Sequence, residues 1–156
     1  METMKLAAAL IMRKELRTKT EELATRIENN AISQEGDKPL EDPNELLVQL
    51  QETNQQLIGL IQAINQANTT VRMADGQTIA EGLAQRDGLY RMVGYLRMIA
   101  DKAAVEQVRY SLREIRQVSH IDAAKLQADI DRMAETARQL DLAIQELNWA
   151  TDIVVG

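Results

Sequence analysis

The sequence predicts an all-α protein, a long antiparallel four-helix bundle or set of helical hairpins with coiled-coil-like seams, and three observations carry that prediction. Aromatic residues make up only 3% of the 156 residues and phenylalanine is absent, while Ala, Leu, Ile, Gln, Glu and Arg dominate, which favours helices over strands. Two prolines and seven glycines leave long stretches unpunctuated. Apolar residues recur at steps of three and four through most of the chain, the period of a one-faced helix.

The first helix is expected over about residues 3 to 30, with Leu6, Leu10, Leu16, Leu23 and Ile27 turned inward and Arg13 and Thr20 interrupting the seam. The second, about 43 to 70, is the most regular. Leu47, Leu50, Asn54, Leu57, Ile61, Ile64, Asn68 and Val71 alternate steps of three and four, and Leu46, Leu60 and Ala67 widen the stripe. Its start is marked by Asp42 as cap, Pro43 in the first turn and Glu45 as the partner of a capping box. Asn54 and Asn68 interrupt an apolar seam, where asparagine commonly sets register and oligomeric state, so both are candidate assembly residues.

An Asp-Gly turn in MADGQ separates this helix from the third, about 78 to 104, which opens on Thr78 with Glu81 three places on. Its inward residues are Ile79, Leu83, Leu89, Val93, Leu96 and Ala100, and Gly82, Gly88 and Gly94 allow another backbone to approach closely. The fourth helix, about 122 to 150, follows a short irregular or extended segment and turns Leu126, Ile130, Met133, Ala137, Leu140, Ile144 and Leu147 inward. Any extended residues are expected between about 110 and 121. Trp149 reads as a cap on the bundle, with a partner anchor as the alternative, and the seven methionines as ordinary core fillers. The whole is expected to form one domain over residues 1 to 156. Slender helices with a thin core leave wide apolar faces to cover, so a homo-oligomer is expected.

Composition also bears on function. The absence of cysteine removes disulfides and thiolate metal sites and suits a reducing compartment, the cytoplasm by default. LAAALIM is too short and wrongly flanked for a signal peptide, and no window approaches the roughly 18 apolar residues of a membrane span. A net charge of -6 opposes whole-surface binding to nucleic acid. Charge is segregated, however: residues 86 to 116 hold seven Lys or Arg against four acids, whereas residues 28 to 58 hold seven acids and Lys38 alone. Arg109, Arg113 and Arg116 align on one face if their segment is helical, a candidate polyanion or intersubunit contact, with the acidic loop QEGDKPLEDPNE as its complement within or between chains.

The stretch RYSLREIRQVSHID contains the lone histidine, His120, beside Ser119 and near Asp122. A nucleophilic triad requires convergence of serine, histidine and carboxylate on an oxyanion hole. Neighbouring residues diverge in a strand and stand about 100° apart in a helix, and no Gly-x-Ser-x-Gly elbow surrounds the serine. Ser119 or Asp122 is therefore expected to cap the fourth helix, and no catalytic residue is assigned. One histidine cannot supply the Glu-x-x-His pairs of a di-iron bundle, and no phosphate loop or dinucleotide fingerprint is present. Neither a metal nor a cofactor is expected.

The blocks MKLAAALIMRKEL, QEGDKPLEDPNELL, INQANTTVRMADGQTIAEGLAQRD, RYSLREIRQVSHID and IQELNW resemble, in order and over nearly the whole chain, the septicolysin-like family of small bacterial proteins. That resemblance implies a helical fold and carries over no site residues. Its label points to a thiol-activated pore-forming toxin, whereas this chain has no cysteine and no amphipathic β-hairpin. The expected function is non-enzymatic assembly or interaction, with a membrane-active protein and an RNA or polyanion binder as alternatives.

Overall fold

The computed structural model describes residues 1 to 104 and 115 to 156. Its elements are β1 (Glu2–Lys5), α1 (Leu6–Asn30), α2 (Pro43–Thr70), α3 (Ile79–Ala103), α4 (Ala123–Ala150) and β2 (Asp152–Val155). The four helices lie where the apolar period puts them, and residues 115 to 120 before α4 are irregular, as expected of that connection. The chain separates into two compact units, Met1–Arg72 with Gln145–Gly156, and Met73–Ile144.

In the first unit, α1 and α2 pack as a helical hairpin. Asn30 on the last turn of α1 accepts a hydrogen bond from the Glu41 amide at 3.0 Å, next to the cap of α2, so the end of one helix lies beside the start of the other. Asp42 caps α2 by accepting from the Asn44 amide at 2.9 Å, with Pro43 in the first turn, where its missing amide costs nothing. The inward row of α1 includes Leu6, Ala9 and Leu23, with Leu16, Thr20 and Ile27 half-buried.

The α2 row differs from the expected seam. Its buried residues are Leu46, Thr53, Leu57, Leu60, Ile64 and Ala67. Leu47 and Asn54 are exposed and Asn68 is half-buried, so the buried polar side chain of this helix is Thr53. Two adjacent apolar rows share Leu57 and Ile64, and the buried one begins at Leu46.

The ends of the chain form a structure the helical reading missed. Residues 2 to 5 are a strand and not the first turn of a helix, and β1 and β2 pair antiparallel with Met4 opposite Ile153 and Lys5 opposite Asp152. Extended residues therefore occur at the two termini, outside the 110 to 121 region. The pairing also starts α1: Lys5 offers no side-chain cap, and the free Leu6 amide instead donates to the Thr151 carbonyl at 2.9 Å. Ile153 is buried while Val154 is exposed, the alternation of a two-faced ribbon. Asn148, on the last turns of α4, is buried with its Oδ1 lacking a hydrogen-bond partner.

The second unit is an antiparallel α3–α4 hairpin. Gly82 lies by Ile144, Arg86 bonds to Asp141, and Val93 clusters with Ile130 and Ala134, so positions rise along one helix as they fall along the other. A complete capping box opens α3: the Glu81 amide donates to Thr78 Oγ1 at 3.2 Å and the Thr78 amide to Glu81 Oε2 at 2.8 Å. Gly76, at φ +89, occupies the left-handed region in the Asp-Gly turn. Gly82 permits close approach, but of a side chain: a Cβ there would lie 2.5 Å from Met73 Sδ, whereas Gly88 and Gly94 face open space.

Two further expectations are corrected. Trp149 is 58% exposed, which does not fit a buried cap, and Met73 is buried but Met12, Met92 and Met98 are exposed. If the terminal ribbon holds the first unit closed through one apolar anchor, Ile153→Ala should cost about 2–3 kcal/mol in urea unfolding, while Val154→Ala should stay within about 0.5 kcal/mol. Equal effects at the two positions would show that the ribbon does not bury its inner face in solution.

Candidate functional site

Of the stretch RYSLREIRQVSHID, residues 115 to 122 are described. Ser119 and His120 are both exposed. The Ser119 hydroxyl accepts from the Ile121 amide at 3.3 Å, a local turn that does not involve the imidazole. Asp122 takes the cap position: its Oδ1 accepts from the Lys125 amide at 3.1 Å, and its carbonyl accepts from Leu126 at 3.0 Å. Of the two expected caps, Asp122 is the one that forms. Ile115, Val118 and Ile121 in the same connection are exposed.

Of the candidate arginines, Arg116 is exposed. Arg109 and Arg113 lie outside the described residues. In the acidic loop, Glu41 pairs with Arg26 of α1. Glu41 receives two hydrogen bonds from the Arg26 guanidinium, one of them from Nε at 3.0 Å. These bonds, more than the charge attraction that accompanies them, hold the Glu41 carboxyl below its ordinary value and raise Arg26. Asn30 reinforces the same junction by donating to the Arg26 carbonyl at 2.9 Å.

The second charged cluster lies in the α3–α4 seam. Arg86 reaches Asp141 at 2.7 Å and Asp87 at 2.9 Å. Burial pulls the guanidinium down, but hydrogen bonds to Asp87 and Asp141 more than offset this, so it stays above its ordinary value. An arginine tolerated in an apolar row by two carboxylates is a seam element, and its charge is not free for a ligand. On α4, Glu135 is held low by hydrogen bonds from Arg138 and Gln139.

Surface depressions do not gather these groups. One groove lies on α1 alone, lined by Ile11, Lys14, Glu15, Thr18, Lys19 and Glu22, and another runs beside the α1–α2 loop, by Asn30, Ser33, Lys38 and Asp42. Among the described residues there is no group of three His, Cys, Asp or Glu side chains placed to hold a metal ion. No helix among them is long and apolar enough to cross a membrane. What the surface offers instead is apolar side chains at helical spacing on α3: Met92, Tyr95 and Ile99 are 45%, 52% and 40% exposed. The sequence reading turned one stripe of this helix inward and did not identify the second stripe beside it.

Comparison with known proteins adds the following. Residues 13–153 match the model of a family of unknown function (DUF6847). The chain is also similar to a functionally unknown conserved protein from Corynebacterium diphtheriae whose crystal structure is solved. The two are 36% identical and superpose with a TM-score of 0.85, covering 98% of this chain and 100% of that one. No curated protein matches the chain.

Two expectations come from this geometry. Asp122→Ala should cost about 1 kcal/mol by removing the cap of α4, whereas Ser119→Ala and His120→Ala should each stay within about 0.5 kcal/mol in urea unfolding. The second concerns pH. Because the folded value of Glu41 is depressed, its contribution is present above the ordinary carboxylate value of about 4.3 and is lost as pH falls through the depressed one. Arg26→Ala should therefore melt below the parent at neutral pH, and the difference should close on acidification. A gap that persists in acid would assign the effect to the packing of the arginine stem.

Proposed function

We propose that this chain, which belongs to the family of unknown function DUF6847, is a non-enzymatic assembly protein that acts by binding protein surfaces in a reducing compartment, the cytoplasm. The observation that supports this reading most directly is the exposed row Met92, Tyr95 and Ile99 on α3. Exposed apolar side chains are ordinary when scattered, but a contiguous row at helical spacing is a feature of interaction surfaces. Methionine and tyrosine suit such a surface, one by adaptable packing and the other by a large area with a polar tip. Catalysis finds less support, because Ser119 hydrogen-bonds its own turn and His120 stands in solvent.

The same apolar side chains give a second reading its basis: a membrane-active protein of the septicolysin-like kind would present them to a lipid surface. The two readings separate in solution. Purified protein is expected to leave dye-loaded anionic vesicles intact and to show no salt-sensitive binding to labelled RNA. Chemical cross-linking in the native cell should join the chain to protein. Vesicle leakage would favour the membrane reading, and RNA binding that weakens with salt would favour a polyanion site around Arg116.

A further inference from the structure

We propose that the α3–α4 hairpin pairs face to face with the hairpin of a second copy of this chain, through the broad face that carries Met92, Tyr95 and Ile99. The inference deepens the assembly reading and rests on it, naming the surface and the partner.

The antiparallel pair decides which residues share a face. Two antiparallel helices are related by a local two-fold axis perpendicular to their broad faces. The residue one place before each inward residue therefore emerges on the same face from both helices, and the residue one place after on the other. The inward row of α3 runs through Arg86, Leu89, Val93, Leu96 and Ala100, and that of α4 through Ile130, Ala134, Ala137 and Asp141. The preceding positions include Met92, Tyr95 and Ile99 on α3 with Met133 and Leu140 on α4. The following positions include Asp87, Arg97 and Asp101 with Asp131, Glu135 and Arg138, and two apolar residues, Tyr90 and Leu142. The first face carries most of the hairpin's exposed apolar rows and the second most of its charge. The one acid on the apolar side, Asp129, is paired with Arg132 at 2.9 Å, so it brings no free charge to the contact.

Two physical arguments select a second copy as the occupant. The hairpin has a thin core: the large residues it buries are Met73, Ile79, Val93, Ile130 and Ile144. Two helices cover only the rows that face each other, and a four-helix arrangement is the smallest that buries a second row on each. Area is the other argument. Helices of this length, about 35 Å, set about 9 Å apart, present a face about 20 Å wide, hence about 700 Å². That is close to the roughly 800 Å² per partner of a stable interface. A partner for such a face must be equally long, straight and apolar, and the chain's own hairpin meets those conditions by a two-fold rotation, the commonest symmetry of soluble oligomers.

The test uses the full-length chain in two ways. Sedimentation equilibrium should give twice the chain mass. Met92→Glu with Ile99→Glu should reduce it to one chain mass at concentrations where the parent is paired, with the helical circular dichroism retained. Tyr90→Glu with Leu142→Glu, at exposed positions following the inward rows, should leave the pair intact. Methionine oxidation by dilute peroxide needs no variant: Met92 and Met133 should become protected as protein concentration rises, while the outward Met98 should oxidise at an unchanged rate. A parent of single-chain mass, a Met92/Ile99 variant that still pairs, equal dissociation by the Tyr90/Leu142 variant, or protection of Met92 that requires vesicles would each overturn the proposal. A single-chain parent that is still cross-linked to another protein in the cell would sink this inference and leave the assembly reading standing.

Discussion

A helix can turn only one row of side chains toward one neighbour, and that limit shapes most of this molecule. Each unit is built on a hairpin of two long helices, so each buries two facing rows and little else. Hydrophobic residues make up 45% of the chain, more than four rows can take up. The surplus lies outside the rows, which is why Met98 is 63% and Tyr95 52% exposed in a protein with few aromatic residues to expose. The same limit explains how polar residues survive within a row. Thr53 is small enough to sit among leucines, and Arg86 lies where two carboxylates and residual solvent meet its guanidinium.

The hairpins alone leave the ends of α1 and α4 with unsatisfied backbone groups, and the terminal ribbon deals with both. Thr151 accepts from Leu6 at the start of α1, and its own amide donates to Leu147 at 2.9 Å to finish α4. Lys5 joins the same junction by an ion pair with Asp152 at 2.9 Å. Exposed as it is, that pair adds little energy and serves mainly to favour the strand register. Residues nearly the whole chain apart thus meet in one short ribbon, and this gives the first unit a long-range closure that neither helix could supply alone.

How far the fold was legible follows from these facts. Helix positions could be read because caps and period act locally: Asp42, Thr78 and Asp122 stop or start the backbone pattern whatever the distant chain does. Which row is buried was not legible for α2, since Leu46 and Leu47 begin two equally good stripes and the choice belongs to α1. The strands were not legible either. DIVV is β-branched, but four residues show no usable period, and a strand depends on a partner that here lies at the opposite end of the chain. The pairing of Glu41 was missed for a related reason, because Arg26 comes close to it only after α1 and α2 have folded back on each other.

The candidate surface lay one inference further from the sequence. Apolar residues on two adjacent rows of α3 can be counted in advance, but their counterparts on α4 are defined only once the two helices are known to run antiparallel and Val93 is known to meet Ile130 and Ala134. From that point the two-fold relation of the pair forces the faces apart. The residues before each contact include Met92, Tyr95, Ile99, Met133 and Leu140, whereas those after it include Asp87, Arg97, Asp131, Glu135 and Arg138 beside Tyr90 and Leu142. On the charged side Glu135 and Arg138 satisfy each other one turn apart on the same helix. Apolar groups have no such local remedy, since they gain only by leaving water together. The asymmetry between the faces, more than any single residue, is what directs association to one side of the hairpin.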